Sequence, residues 1–382
     1  MTTTINKEQK NPNVPNLRFP EFEGEWKRTS LKDISTVNPK SASLEESFVY
    51  IDLEAVEKGI LKKQQTILRS EAPSRAQRVI MDGDILFQCV RPYQKNNYLH
   101  KGQNNDKTQW VASTGYAQIR TTESPSYLYH TLNTDGFNKK VMVRCTGSSY
   151  PAINSDDLST IHFYFSPQKE EQRKISQLFD LLDERIATQN KIIEDLKKLK
   201  CAIAERLFNV TDGDSVPLTE VCTILKGKQI NSEFLSEKGK YYVMNGGTEP
   251  SGYYDKSNAP ADTISISEGG NSCGYIQYNR EAFWSGGHCY TLNNITPNVC
   301  KLYLYHNLKS QESSIMKLRI GTGLPNIQKK DLEKFCILLP SKAKQESIST
   351  FLTAIESKIA NEEMLQNYFQ EEKLYLLRQM FI

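Results

Sequence analysis

The sequence predicts an α+β fold: two β-rich modules and a pair of long antiparallel coiled-coil helices, arranged as an internal pseudo-twofold repeat. Three observations predict it. A segment of the first half recurs in the second half. In each copy a Gly/Asn/Ser/Tyr-rich stretch with short β-prone runs precedes a long helical stretch. Both helical stretches carry apolar residues at coiled-coil spacing.

The elements follow in order. Residues 1–13 are polar, lack the apolar core of a signal peptide and read as a disordered lead-in. Residues 14–166 form the first β-rich module, with runs such as Asp84-Ile-Leu-Phe-Gln-Cys-Val90 between turn residues. Residues 167–210 form the first long helix: Pro167 suits a helix start, and no Gly or Pro interrupts Gln168 to Asn209. Residues 211–339 form the second module, with Thr263-Ile-Ser-Ile-Ser267 as a strand, and residues 340–382 the second helix after Pro340. The first seam reads Leu182, Ile186, Gln189, Ile193, Leu196, Lys200, Ile203 and Leu207. The second reads Ile355, Ile359, Glu362, Gln366, Phe369, Lys373, Leu376 and Met380. The polar entries weaken both, so Leu199 and Leu365 are expected to carry the contact beside two of them. A helix of about 40 residues spans roughly 60 Å and needs a partner. Packing antiparallel against its own repeat would supply one and set the modules at opposite ends.

The repeat is explicit. Tyr150-Pro-Ala-Ile-Asn-Ser-Asp-Asp-Leu158 matches Leu324-Pro-Asn-Ile-Gln-Lys-Lys-Asp-Leu332, a shift of 174 from Pro151 to Pro325. A Gly/Ser/Thr turn precedes each copy, at Thr146-Gly-Ser-Ser149 and Gly321-Thr-Gly323. A strand follows each, at residues 161–165 and 335–339. Gln172 matches Gln345, Ile175 matches Ile348, Leu207-Phe208 matches Met380-Phe381, and Tyr127-Leu-Tyr-His130 matches Tyr303-Leu-Tyr-His306. The unit is about 175 residues, a domain-sized duplication rather than a solenoid.

Composition narrows the function. Of 382 residues, 24% are charged and 38% hydrophobic, and no apolar run approaches the roughly 18 residues of a membrane span. A soluble, cytoplasmic protein without membrane contact is expected. The eight cysteines form no Cys-x-x-Cys pair, which leaves buried or half-buried free thiols. The net charge is only +3, yet ten Lys or Arg between Lys58 and Lys107 face four acids, an excess that could meet phosphates. No phosphate loop, His-Glu-x-x-His or Gly-x-Ser-x-Gly occurs, nor an Asn/Asp-Pro-Pro-aromatic tetrapeptide of DNA amino-methyltransferases. His130 and His306, at matching positions, read as packing residues.

The opening Val14-Pro-Asn-Leu-Arg-Phe-Pro-Glu-Phe-Glu-Gly-Glu-Trp26, followed by Leu31-Lys-Asp-Ile34, closely resembles the start of specificity subunits of type I restriction-modification systems. The Gly-rich turn with Pro-x-Ile, the Gln-x-x-Ile helix starts and the terminal Leu/Met-Phe extend that resemblance over nearly the whole chain. The resemblance implies two target-recognition domains, each reading half of an asymmetric, interrupted site in double-stranded DNA. The helices then fix the gap, and two methyltransferase subunits carrying S-adenosylmethionine dock on the chain. Two restriction subunits using ATP and Mg would join outside them. The chain itself would hold no cofactor, metal or catalytic residue.

Sequence is read through base edges or DNA shape, so candidate readers are loop residues with bidentate or phosphate-binding groups. In the first module these are Arg91, Tyr93, Lys95, Arg144, Ser148 and Tyr150. In the second they are Lys226, Lys228, Asn245, Ser267, Asn271, His288 and Arg319. A stand-alone sequence-specific DNA-binding regulator is the alternative; it would bind an operator without partners.

Overall fold

A computed structural model describes residues 13–102, 108–210, 212–321, 323 and 325–382. The expected disordered lead-in lies outside these residues except for Asn13, as do Lys107, Thr322 and Leu324. The chain divides into two compact units, Met1–Thr188 with Gln366–Ile382, and Gln189–Leu365. The division falls inside both long helices, α1 (Lys169–Asn209) and α2 (Lys342–Met380).

In the first unit, β-branched and aromatic runs form two four-stranded sheets. One has the order Ser35–Val37, Tyr116–Thr121, Ile85–Gln88, Tyr98–Leu99, all antiparallel. The strand Ile85–Gln88 is buried throughout, so it reads as a continuous apolar run rather than an alternation. The other sheet has the order Gln65–Leu68, Ser47–Ile51, Gln109–Ser113, Ala76–Ile80, with the middle pair parallel. Asp84, fully buried, accepts from Arg120 at 2.8 and 2.6 Å and from Gln118 at 2.7 Å, which compensates its charge inside the sheet.

The N-terminal motif has a structural job. Glu171, fully buried in the first turns of α1, accepts from Arg18 at 2.6 and 2.9 Å, from the Trp26 indole at 3.2 Å and from Ser166 at 2.5 Å. Tyr127 lies against Trp26, Phe165 and Phe381, with ring centroids 6.1, 4.7 and 5.5 Å apart. The helix segments of this unit run antiparallel: Asp183 meets Lys373, and Arg185 covers the Phe369 ring at 5.1 Å.

The second unit repeats the plan. Its four-stranded sheet has the order Thr223–Lys226, Cys289–Asn293, Thr263–Ser267, Ile276–Asn279, antiparallel as in the first unit, and a three-stranded sheet, Tyr253–Tyr254, Tyr241–Met244, Trp284–Ser285, holds a parallel pair. Phe208 packs edge-on against Tyr303, and their repeat counterparts Phe381 and Tyr127 are in contact in the first unit with their rings stacked. Its helix segments also run antiparallel, with Gln189 bonded to Glu362, Lys197 to Glu363 and Lys200 to Glu356.

The seam corrects one expectation. Leu199 is 52% exposed and carries no contact in place of Lys200. Lys200 keeps its seam position, because its apolar stem lies along the interface while its ammonium reaches Glu356. Gln189 is 1% exposed and satisfied by Glu362. Gln189, Lys200, Glu362 and Lys373 are therefore paired across the helices, and Leu365 is half-buried beside Gln366. The cysteines are free, but Cys201 and Cys336 are exposed rather than buried, Cys201 because it lies off the seam and Cys336 at the start of a strand.

The duplicated signatures are buried staples. Gln172 is 2% exposed and donates to the Ser166 carbonyl at 2.9 Å, while Gln345 is 1% exposed and donates to the Pro340 carbonyl at 2.9 Å. Each ties the chain entering a long helix to its first turn. His130 and His306 are buried in matching helices, beside Asp180 at 3.3 Å and Thr353 at 2.9 Å. Burial lowers the pKa of both rings, that of His306 to about 4, so both are neutral packing groups.

Candidate nucleic-acid interface

Each unit builds the same corner from two loops. In the first, the loop after strand Ile85–Gln88 is stitched to the Gly-turn loop by the bridge Val90–Ala152. Arg91 N–H donates to the Pro151 carbonyl at 2.8 Å, and Ile153 N–H to the Cys89 carbonyl at 3.0 Å. The turn closes on itself through paired Thr146–Ala152 bonds of 2.9 Å. Gly147, at φ +87°, allows this turn; a Cβ there would lie 3.0 Å from the Tyr150 carbonyl oxygen.

The second unit repeats the stitch bond for bond. Gly269 bridges Asn326, Gly270 N–H donates to the Pro325 carbonyl at 3.0 Å, and Ile327 N–H to the Glu268 carbonyl at 2.9 Å. Ile320 and Asn326 close the turn. Arg91 at φ +54° thus stands where the second unit has Gly270 at φ +79°. The duplicated Pro-x-Ile signature is the backbone half of this stitch.

What the corners display differs. In the first unit the Arg91 guanidinium lies over the Tyr150 ring, 4.5 Å from its centroid. Tyr150 is 63% exposed, Tyr93 on the same loop 51% exposed, and Ser148 is exposed in the turn. These four candidates are brought together. Lys95 and Arg144 lie outside this group. Lys95 meets Asp135 at 2.7 Å and the Asn133 carbonyl at 3.0 Å, while Arg144 donates to the Asp157 carbonyl at 2.9 Å and Thr160 at 2.7 Å.

In the second unit Lys226 and His288 meet at Glu268, which carries no repeat signature. Its Oε1 takes the Lys226 ammonium at 2.7 Å and the Tyr290 hydroxyl at 3.0 Å. Its Oε2 is buried without a hydrogen bond, with the exposed His288 ring 3.9 Å away. Burial, with the Glu268 carboxylate beside it, pushes the Tyr290 phenol up and keeps it a donor. Ser267, expected among the readers, is instead buried at the end of its strand and spends its hydroxyl on the Gly246 carbonyl at 2.7 Å, while the Asn245 side chain accepts from His288 N–H at 3.0 Å. Lys228 leaves the same strand end, its N–H on the Ser285 carbonyl at 2.8 Å. Asn271 and Arg319 are exposed, Asn271 just after Gly270 and Arg319 just before Ile320. Glu268 escaped notice because its repeat counterpart is Cys89, so duplication does not mark it.

The basic stretch is partly neutralised by acids from elsewhere in the chain. Lys62 pairs with Glu57, Lys63 with Glu54, Lys95 with Asp135 and Lys101 with Asp180, none of them within residues 58–107. Among the described residues no group of three or more His, Cys, Asp or Glu side chains could hold a metal ion, and no helix is long and apolar enough to cross a membrane.

The chain is similar to known proteins along most of its length. The family described as the type I restriction modification DNA specificity domain matches residues 23–198 and again residues 212–368. A type I specificity subunit of Mycoplasma genitalium is 36% identical over 138 residues, covering 36% of each chain. The specificity subunit of the type I restriction enzyme HindI of Haemophilus influenzae is 25% identical over 191 residues, 48% of this chain and 41% of that one. The matched stretches thus span less than half the length of these relatives. Among solved structures, the S subunit of a type I restriction-modification system from M. genitalium shares the fold, with a TM-score of 0.68 at 18% identity over 97% of this chain and 99% of that one.

Proposed function

The chain belongs to the type I restriction modification DNA specificity family, and from that premise we propose that it reads DNA sequence without catalysing a reaction, each module reading one half of a bipartite, asymmetric site in duplex DNA. The observation that carries this is the duplicated corner: the same backbone stitch carries Arg91, Tyr93, Ser148 and Tyr150 in one module, and adjoins Lys226, His288 and Asn245 in the other. A common mount with different side chains is what two unlike half-sites require. Arg, Asn and Lys suit base edges, Ser and backbone N–H groups suit phosphates, and each good bidentate contact discriminates by about 1–3 kcal/mol. Arg91, held over Tyr150, is pre-oriented, which lowers the entropic cost of binding.

On this reading the long helices set the gap between half-sites, which lies near one helical turn, about 10 bp, if both are read from one face. Their unbroken lengths, Lys169–Asn209 and Lys342–Met380, and their paired polar seams support a stiff spacer. Two methyltransferase subunits would dock on the chain and bring S-adenosylmethionine, and restriction subunits would bring ATP and Mg. The test is selection of bound duplexes from a random library by the chain assembled with its methyltransferase subunits. The expected result is one interrupted, non-palindromic consensus. A contiguous palindrome, or enrichment of nothing, would overturn the reading.

A further inference from the structure

A second cationic feature lies in the first module, beside the duplicated corner but built from other elements. Strand Lys27–Ser30 pairs with His162–Phe165, placing Arg28 opposite Tyr164. Helix Asp135–Arg144 adds Lys140 and Arg144. Together they line a cavity of about 370 Å³ with His162 and the apolar Val143, Ile161 and Phe163. Arg28 and Lys140 form no ion pair with a carboxylate among the described residues. Lys140 donates only to the His162 carbonyl, at 3.1 Å, and Arg144 only to neutral oxygens of Asp157 and Thr160. The acid on the His162 side, Asp33, is held by Ser30 at 2.9 and 2.5 Å.

We propose that Arg28, Lys140 and Arg144 form a cradle for phosphodiester groups of DNA, specific to the first module; this rests on the DNA-reading role proposed above. Three cations share one cavity without a counter-ion, and an anion would relieve their repulsion. Partial desolvation and the neighbouring Arg28 lower the Lys140 pKa. The fold does not require these charges. In the matching ribbon of the second unit, Ser215 pairs with Leu338 as Arg28 pairs with Tyr164, and Cys336 takes the place of His162. Leu318, two residues before the Ile320–Asn326 bridge, stands where Arg144 precedes Thr146–Ala152. At these three matched positions the first copy carries Arg28, His162 and Arg144, and the second carries Ser215, Cys336 and Leu318. Arg144 also leads directly into the turn carrying Ser148 and Tyr150, so the cradle adjoins the reading corner. Phosphate contacts position the duplex without reading it.

The test uses the chain assembled with its methyltransferase subunits and a duplex bearing the selected site. Affinity is measured by fluorescence anisotropy over a series of salt concentrations. Loss of two phosphate contacts lowers the slope of log affinity against log salt by about 1.8. Arg28→Ala with Lys140→Met is expected to do so while the selected consensus stays unchanged. If the double variant does not fold, Arg28→Gln, at an exposed strand position, is expected to lower the slope by about 0.9. An unchanged slope overturns the cradle while leaving the reading role standing. So does loss of a methyltransferase subunit on gel filtration with the slope intact, which would make the patch a protein-docking surface. If the wild-type complex shows no sequence-specific, salt-sensitive binding, the reading role falls and the cradle with it.

Discussion

Replacing Glu171 by Ala removes the group on which the N-terminal segment is anchored. The carboxylate is fully buried and receives four hydrogen bonds, two from Arg18, one from Trp26 and one from Ser166. The Arg18 side chain is only 10% exposed, so the substitution leaves a largely desolvated guanidinium with only the carbonyls of Glu23 and Gly24. Breaking a buried pair on one side costs about 3–5 kcal/mol. For a unit of this size, about 2–4 °C per kcal/mol places the fall in Tm of its transition at roughly 6–20 °C. Calorimetry of the purified chain measures it, and hydrogen exchange over residues 26–30 and 169–179 assigns it to the first unit. Adding Arg18→Met removes the stranded charge, and the double variant is expected to regain at least about 1 kcal/mol over the single. The neighbouring Glu170 supplies the control. It pairs with Arg173 at an exposed i,i+3 site, so Glu170→Ala should cost less than about 0.5 kcal/mol. A loss under about 1 kcal/mol for Glu171→Ala, or a double variant no better than the single, would refute the anchoring argument.

Other perturbations separate folding from reading. Arg91→Ala is expected to weaken specific binding by the assembled complex by about 5- to 150-fold, the range of one lost bidentate contact, with Tm unchanged; a gel-shift series measures it. Lys200→Met strands Glu356 beside the buried His306 and should cost about 1–3 kcal/mol in urea unfolding, whereas Lys200→Met with Glu356→Leu should fall within about 1 kcal/mol of wild type. Burial, aided by Lys200 and opposed by Glu356, holds His306 at about 4 in the folded chain. This folded value lies below the unfolded one, near 6.5. The stability that depends on neutral His306 is therefore complete above pH 6.5 and is lost as pH falls toward 4. The wild-type curve should drop about 3 kcal/mol more than that of His306→Gln across this window. Inserting one heptad near Lys197 should change the gap between half-sites, read by methylation mapping, while both half-site sequences persist.

The repeat was legible because its residues do the same buried work twice. Gln172 and Gln345 staple helix entries, Tyr127 and Tyr303 pack on Phe381 and Phe208, and Pro151 and Pro325 accept the same backbone bond. Such positions keep their identity through the packing they share. The reading corner was legible only in part, because side chains on loops carry no period. Lys95 and Arg91 look alike in sequence, yet one is spent on Asp135 and the other stands over Tyr150. Glu268 sits at the end of a buried strand and draws Lys226 and Tyr290 through pairings some 20–40 residues apart in sequence. The excess charge of residues 58–107 shrank for the same reason: the compensating acids come from other segments. The polar seam misled because a lone Lys at an apolar position reads as weakness until its partner Glu356 is seen.

The division of labour between the modules can be tested by long-read methylation mapping of a host carrying this chain with its partner subunits. Wild type is compared with a chain substituted at Lys226 and His288 in the second module only. The account predicts that one half of the methylated motif is relaxed or altered, with the other half and the gap intact. A change in both halves, or none in either, would contradict two independent readers on a shared frame.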